Sequence, residues 1–269
     1  MIAAPQLLGI LNITEDSFSD GGRFLKPEAA SKRARELLRA GADIIDLGAA
    51  ASNPGAKPVE SEQEIARLAP AVAAVRAAGA AVSIDSFSPQ TQLWAMDQNV
   101  EYLNDINGFK EPSLYPALAG STAKLIVMHA LRPGPPDRNV PAPADIVDRI
   151  QIFFEHRLRA LTEAGVARHR LILDPGMGLF LGRGREASFA VLRRLSEIKA
   201  AFGLPVLVSV SRKSFLRTLV GRGVAEAGPA SLAAELFATR SGADFIRTHE
   251  PGPLRDALTI TLALEGGTP

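Results

Sequence analysis

Eight short apolar runs, each followed by a helix-like stretch, constrain this chain more than any other feature. They read LLGILNI (7–13), DIIDLG (43–48), AVSIDS (81–86), EYLNDI (101–106), KLIVMH (124–129), LILDPG (171–176), VLVSVS (206–211) and DFIRTH (244–249). Between them lie Ala-, Leu- and Arg-rich stretches with helical spacing, such as EAASKRARELLRAG and IVDRIQIFFEHRLRALTEAG. Several close on glycine, at Gly41, Gly79, Gly165 and Gly242, the residue that accepts the left-handed position past a last helical turn. Apolar strands alternating with helices specify a parallel sheet covered on its outer face. Eight such units in 269 residues match the size of a (β/α)8 TIM barrel, here one α/β domain spanning 1–269. A doubly wound open sheet is the alternative, because the pattern does not give strand order. The Pro-rich stretch LRPGPPDRNVPAPAD (131–145) follows the fifth strand and reads as a long surface loop.

Thirty Lys and Arg balance 29 Asp and Glu, so no electrostatic case exists for a nucleic-acid partner or an anionic membrane. The chain has no cysteine, which excludes disulfides, thiol nucleophiles and Cys-ligated metal. The N-terminal MIAAPQLLGILNIT lacks a basic segment before a long apolar run, and no apolar run approaches the ~18 residues of a spanning helix. A cytoplasmic enzyme or binding protein is the expectation.

Active sites of barrels gather at the carboxyl ends of the strands, and polar residues cluster there. Asn12 ends the first strand, Asp85 the third, Asn104 the fourth, His129 the fifth and Asp174 the sixth. Ser211 and Lys213 follow the seventh, and Arg247 and His249 end the eighth. Each has a plain structural explanation as a cap, turn residue or ion-pair partner; the coincidence across strands is what points to a site. Arg247 and His249, two residues apart, share a strand face and suit phosphate oxygens. Asn12 and the loop GILNITEDSFSDGG behind it suit oxygen ligation of a phosphate-bound Mg²⁺. Asp85, Asn104 and Asp174 suit a flat heterocycle rich in N–H donors, with Lys213 donating to a ring carbonyl; a general acid–base pair or a cation site is the alternative use of the two carboxylates. SVSRKSFLR (209–217) opens a helix at Ser211–Ser214, and its Arg212 and Lys213 have the wrong sign for simple capping.

These residues resemble a family. GILNITEDSFSDGG, SIDS at Asp85, YLNDINGF at Asn104, VMH at Met128, LILDPGMG at Asp174, SVSRKSF at Lys213 and FIRTHE at Arg247 and His249 are similar to the dihydropteroate synthase signatures, in order, from about residue 7 to 260. The resemblance implies a (β/α)8 barrel, a homodimer, Mg²⁺, and condensation of 6-hydroxymethyl-7,8-dihydropterin diphosphate with 4-aminobenzoate. It implies that Asp85, Asn104, Asp174 and Lys213 grip the pterin, with Met128 packed on it. Arg247 and His249 hold the diphosphate with help from Ser52, and Asn12 serves Mg²⁺. Ser211 and Arg212 face the aminobenzoate carboxylate. Lys213, Arg247, His249 and Asn12 would carry the catalytic work, under a lid formed by the loop after the first strand. A methyltetrahydrofolate methyltransferase-like barrel or an inactive pterin-binding protein would share the pterin pocket, but neither needs SRKSF or RTH.

Two loops depart from the family pattern. GAAASNPGA (48–56) has Ala50, Ser52 and Asn53 where Glu, Thr and Arg are usual, and DPGMGLFLGRG adds apolar bulk at Phe180. Both look like the sulfonamide-insensitive (Sul-type) branch, with Phe180 expected to narrow the aminobenzoate pocket.

Overall fold

The computed structural model describes residues 4–14, 27–50 and 58–265. In chain order the elements are β1 Gln6–Asn12, α1 Pro27–Arg39, β2 Ile44–Gly48, α2 Ser61–Ala77, β3 Ala81–Asp85, α3 Pro89–Asp97, β4 Tyr102–Asp105 and α4 Tyr115–Gly120. They continue with β5 Lys124–Met128, α5 Ile146–Glu163, β6 Leu171–Asp174, α6 Glu186–Arg193, α7 Leu195–Phe202, β7 Leu207–Val208, α8 Ser214–Val220, α9 Gly228–Arg240, β8 Phe245–Thr248 and α10 Pro251–Leu264. All strand pairs are parallel, in the order β6-β5-β4-β3-β2-β1-β8-β7. A parallel bridge between Leu173 and Val206, with the Leu173 N–H donated to Pro205 O at 2.8 Å, joins β6 to the segment entering β7 and closes the cylinder. The barrel expected from the sequence is therefore the fold, and the open-sheet alternative is not. The four helix-ending glycines take φ of 95°, 78°, 97° and 100°.

Side chains alternate between the two faces of each strand, and that alternation divides the interior. Outward residues such as Leu7, Leu11, Ile45, Leu47, Ile84, Leu103, Leu125, Leu173 and Ile246 join one large core with the helices. Inward residues Leu8, Ile44, Tyr102, Ile126, Ile172, Leu207 and Phe245 form a separate apolar plug at the amino-terminal end of the barrel, with Ala81 against it. Truncating a plug residue to alanine removes about 2–5 kcal/mol of stability. Two residues further along each strand, the same inward face carries Ile10, Asp46, Ser83, Asn104, Met128, Asp174, Ser209 and Arg247. Two further still it carries Asn12, Gly48 and Asp85. The plug thus makes a dry floor, and a ring of mostly polar groups stands directly on it.

Candidate active site

Arg247 organises one side of this ring. From β8 its side chain reaches over β1 to β2 and β3, since the order there is β8-β1-β2-β3. Its Nε donates to Asp46 Oδ2 at 2.6 Å and its Nη2 to Asp85 Oδ2 at 2.6 Å. The Asp46 side chain is fully buried, whereas Arg247 and Asp85 keep 17% and 16% of theirs exposed at the cup. Ser83, opposite Asp46 across the β2–β3 ladder, donates its hydroxyl to Asp46 Oδ1 at 2.5 Å. The sequence reading did not single out Asp46. Its signal is a charged residue between Ile44, Ile45 and Leu47, two residues from Gly48 and in the inward phase.

Asp174 stands across the cup on β6. Its Oδ1 accepts the Gly176 N–H at 2.8 Å, and Met128 is its β5 neighbour. Gly176 has φ of 73°, and a Cβ there would run into the His129 carbonyl oxygen, so this turn accepts only glycine. Asn104, on β4 beside Asp85, has a buried Oδ1 with no hydrogen-bond partner in the protein. Met128 is buried within the same ring. At the mouth, a Cβ on Gly48 would lie 3.6 Å from Asn12 Oδ1 and 3.8 Å from Asp85 Oδ2, which places those two side chains on either side of bare backbone.

Charge is crowded here. Burial pushes the Asp85 carboxyl up to about 7, against the pull of Arg247 and with a push from Asp46. Burial likewise raises Asp174 to about 6, opposed by the Gly176 N–H and by Lys213. Burial lowers Lys213 to about 8, with Asp174 holding it up. The Lys213 ammonium lies 5.3 Å from the centre of the Phe180 ring, within cation–π range. Phe180 belongs to a short 3-10 turn, Gly178–Leu181, so the apolar loop after β6 is brought against the lysine after β7.

After β7 the helix begins at Ser214, the last residue of the expected Ser211–Ser214 window, with Lys213 at its N-cap. Arg212 is the reason: its backbone is left-handed, with φ of 57°, which no helix continues. The Arg212 N–H is held by Ser231 Oγ at 2.9 Å, and its guanidinium pairs with Glu250 Oε1 at 3.0 Å. Ser211 Oγ accepts the His249 N–H at 3.2 Å and lies 3.0 Å from His249 Nδ1. Burial, followed by Arg212, Arg247, Lys213 and Arg33, holds His249 well below the ordinary imidazole range, so its ring is uncharged at neutral pH. His249 lies one residue beyond β8, with its carbonyl receiving Arg33 Nη2 at 3.1 Å.

His129 is drawn away from the cup. Its Nδ1 is 3.3 Å from Pro175 O, its ring stands edge-on to Phe153, and burial lowers it to about 4; it packs between α5 and the turn that leaves β6. Ser52 and Asn53, and the loop at 15–26, lie outside the described residues. Among the described residues no group of three His, Asp or Glu is arranged to hold a metal, and no helix is long and apolar enough to cross a membrane.

Comparison with known proteins agrees with this geometry. The pterin binding enzyme family model matches residues 8–249. The type-2 dihydropteroate synthase of Escherichia coli is 57% identical over 259 residues, 96% of each chain. A Yersinia pestis dihydropteroate synthase solved with a sulfonamide drug complex superposes with a TM-score of 0.90 at 32% identity, covering 98% of this chain and 95% of that one. A Xanthomonas albilineans dihydropteroate synthase solved with 4-aminobenzoic acid gives 0.88 at 31%, covering 97% and 93%.

Proposed function

This chain belongs to the pterin-binding enzymes as a dihydropteroate synthase, a transferase, and from that premise we propose how its cup divides between the substrates. Asp85, Asn104, Asp174 and Lys213 take the pterin of 6-hydroxymethyl-7,8-dihydropterin diphosphate, with Met128 against the ring. Asn104 Oδ1 is the observation that carries this: a buried acceptor with no protein donor is matched by a ring N–H. Arg247, His249 and Ser52 take the diphosphate. Ser211 and the Arg212 backbone lie toward 4-aminobenzoate, while the Arg212 guanidinium stays with Glu250.

The chemistry follows from placement. The bond from the exocyclic methylene carbon to diphosphate oxygen breaks, its electron pair leaving with diphosphate. The pterin-methyl cation left behind is delocalised over a ring held against two carboxylates. The aminobenzoate nitrogen then forms the new C–N bond and gives up its proton to solvent. Arg247 stabilises the charge that develops on the leaving group, a contribution of several kcal/mol in a dry site, and the cup supplies orientation.

Mg²⁺ fits only as a substrate-borne ion. Asn12 offers one neutral oxygen beside Asp85, enough for an ion that keeps its waters and phosphate oxygens and too little for a protein cage. When bound, it adds charge neutralisation at the diphosphate. The test of the whole reading is diphosphate release by the purified enzyme, expected only when pterin diphosphate and 4-aminobenzoate are both present; a methyltransferase-like barrel would release none.

Pterin affinity should depend on pH. Both raised carboxyls must lose their protons to accept ring N–H groups. Binding of 6-hydroxymethyl-7,8-dihydropterin, which lacks phosphate, is therefore expected to weaken as pH falls through about 7 and about 6. Each carboxyl contributes up to about tenfold per pH unit below its own value, so the loss approaches about a hundredfold per unit once pH is below both. Calorimetric affinities that stay level from pH 8 to pH 5 would contradict the assignment.

We also propose reduced sulfonamide sensitivity, because the Phe180 ring stacked toward Lys213 narrows the space beside the aminobenzoate site. Phe180→Ala should lower the sulfamethoxazole inhibition constant by about tenfold or more while the 4-aminobenzoate KM moves less, the scale of one apolar contact in a selective pocket. Equal shifts in both would mean that Phe180 does not discriminate. A homodimer is the further proposal. Its support is an apolar groove between α6, α8 and α9, lined by Phe189, Leu192, Leu216, Leu219 and Phe237, with Leu219 and Phe237 about half exposed. Phe237→Arg is expected to shift the sedimenting species from twice the 28.5 kDa chain mass to the monomer. A wild-type protein already at that mass refutes it.

A further inference from the structure

We propose that Asp46 is a positioning residue for Arg247: clamped by Ser83, it fixes one edge of the guanidinium so that the other edge is free to pass from Asp85 to the substrate's diphosphate. This rests on the function proposed above and adds a residue to it.

The geometry separates the two carboxylates that share Arg247. Asp46 is fully buried, one step nearer the apolar floor than Asp85, and its two oxygens are both engaged, Oδ1 by Ser83 and Oδ2 by Arg247 Nε. It has no access to a ligand. Asp85 lies two residues further toward the mouth, pairs through Arg247 Nη2, and keeps part of its side chain exposed. A planar guanidinium presents a fork whose edges bind independently. When a pterin offers N–H donors to Asp85, that carboxylate exchanges one set of donors for another, and the Nη edge of Arg247 gains an oxygen partner from the diphosphate. The Nε edge stays on Asp46 throughout. Asp46 thereby restricts a long, flexible side chain to the orientations useful for the leaving group, and it keeps a charge partner for Arg247 at every stage, as a desolvated cation requires. Ser83 is part of the device, because its hydroxyl removes the rotational freedom of the Asp46 carboxylate.

A double-mutant cycle tests this. Wild-type enzyme is first shown to form dihydropteroate; failure there would sink the functional reading and not the positioning role. In active enzyme, Asp46→Asn is expected to lower kcat about 10- to 100-fold, the range found when an orienting partner is lost, with the 4-aminobenzoate KM changed less than about threefold. Ser83→Ala, which leaves every charge in place, should lower kcat severalfold and confirms the effect without a change in buried charge. In an Arg247→Ala background, adding Asp46→Asn should lower kcat no further and should raise the unfolding midpoint, because the carboxylate it removes has lost its partner. Losses that multiply in the double variant, or a folded Asp46→Asn enzyme with kcat within threefold of wild type, would overturn the proposal.

Discussion

Replacing Arg247 by alanine is expected to lower kcat/KM by about a thousandfold or more, the scale for removing a charged stabiliser of a leaving phosphate group. The same change should also weaken the fold. Arg247 is the counter-charge for a fully buried Asp46 and for Asp85, and stripping one partner from a buried pair costs about 3–5 kcal/mol. Dihydropterin binding should survive in part, because the pterin contacts proposed for Asp174 and Asn104 come from other strands. Arg247→Lys keeps the charge but gives up the fork that spans two carboxylates, so it should fall between wild type and alanine on both scales. Steady-state kinetics and denaturant unfolding on the same preparations separate the two effects. An alanine variant that turns over normally, or one that loses pterin binding while turnover persists, would show that Arg247 acts elsewhere.

Asp174→Asn is expected to produce the second largest loss, this time in pterin affinity. One carboxylate oxygen is already taken by the Gly176 N–H, and an amide carbonyl can keep that bond, so the turn and the fold should be little changed. The other position then presents an NH₂ to a ligand whose matching edge is also donors. A site built around a polar pairing rejects the mismatched partner by about 10⁴-fold. Lys213 is affected too, since Asp174 is what opposes the burial that lowers it toward 8; without that carboxylate more of the amine is neutral at pH 8. Calorimetric titration with dihydropterin should show binding lost beyond measurement at a normal unfolding midpoint. A dissociation constant within fivefold of wild type would remove Asp174 from the pterin pocket.

The strands were legible in the sequence because each is a short apolar run that gives way to polar residues or glycine, and the observed bounds fall within one or two residues of the expected ones for most of them. β7 is the exception. VLVSVS predicts six residues, but ladder pairing is confined to Leu207–Val208, and the contact with β6 is a single bridge. Serines at 209 and 211 give that run a strand-like alternation, although Ser211 is committed to His249. The helix after β7 starts at the far end of the Ser211–Ser214 window for a local reason: Arg212 takes a left-handed backbone that nothing in SRKSF announces. His129 reads like a site residue by position, yet it falls one residue past β5 and turns toward Pro175. Asp46 is not legible from strand ends, because it sits inside β2. Counting by twos from Ile44 would have found it.

The inward face advances in steps of two, and this limits how such a chain can diverge. Losing or gaining one residue within β2 would turn Asp46 out among the helices and set Ile45 or Leu47 in its place. Every functional group downstream on that strand would be inverted together. Changes of length are tolerable only where the chain has left the ladder, and the two stretches that depart from the family pattern, 48–56 and 174–184, both begin on the last residue of a strand. The discrimination proposed for Phe180 would therefore change outside the ladder and leave the floor as it is.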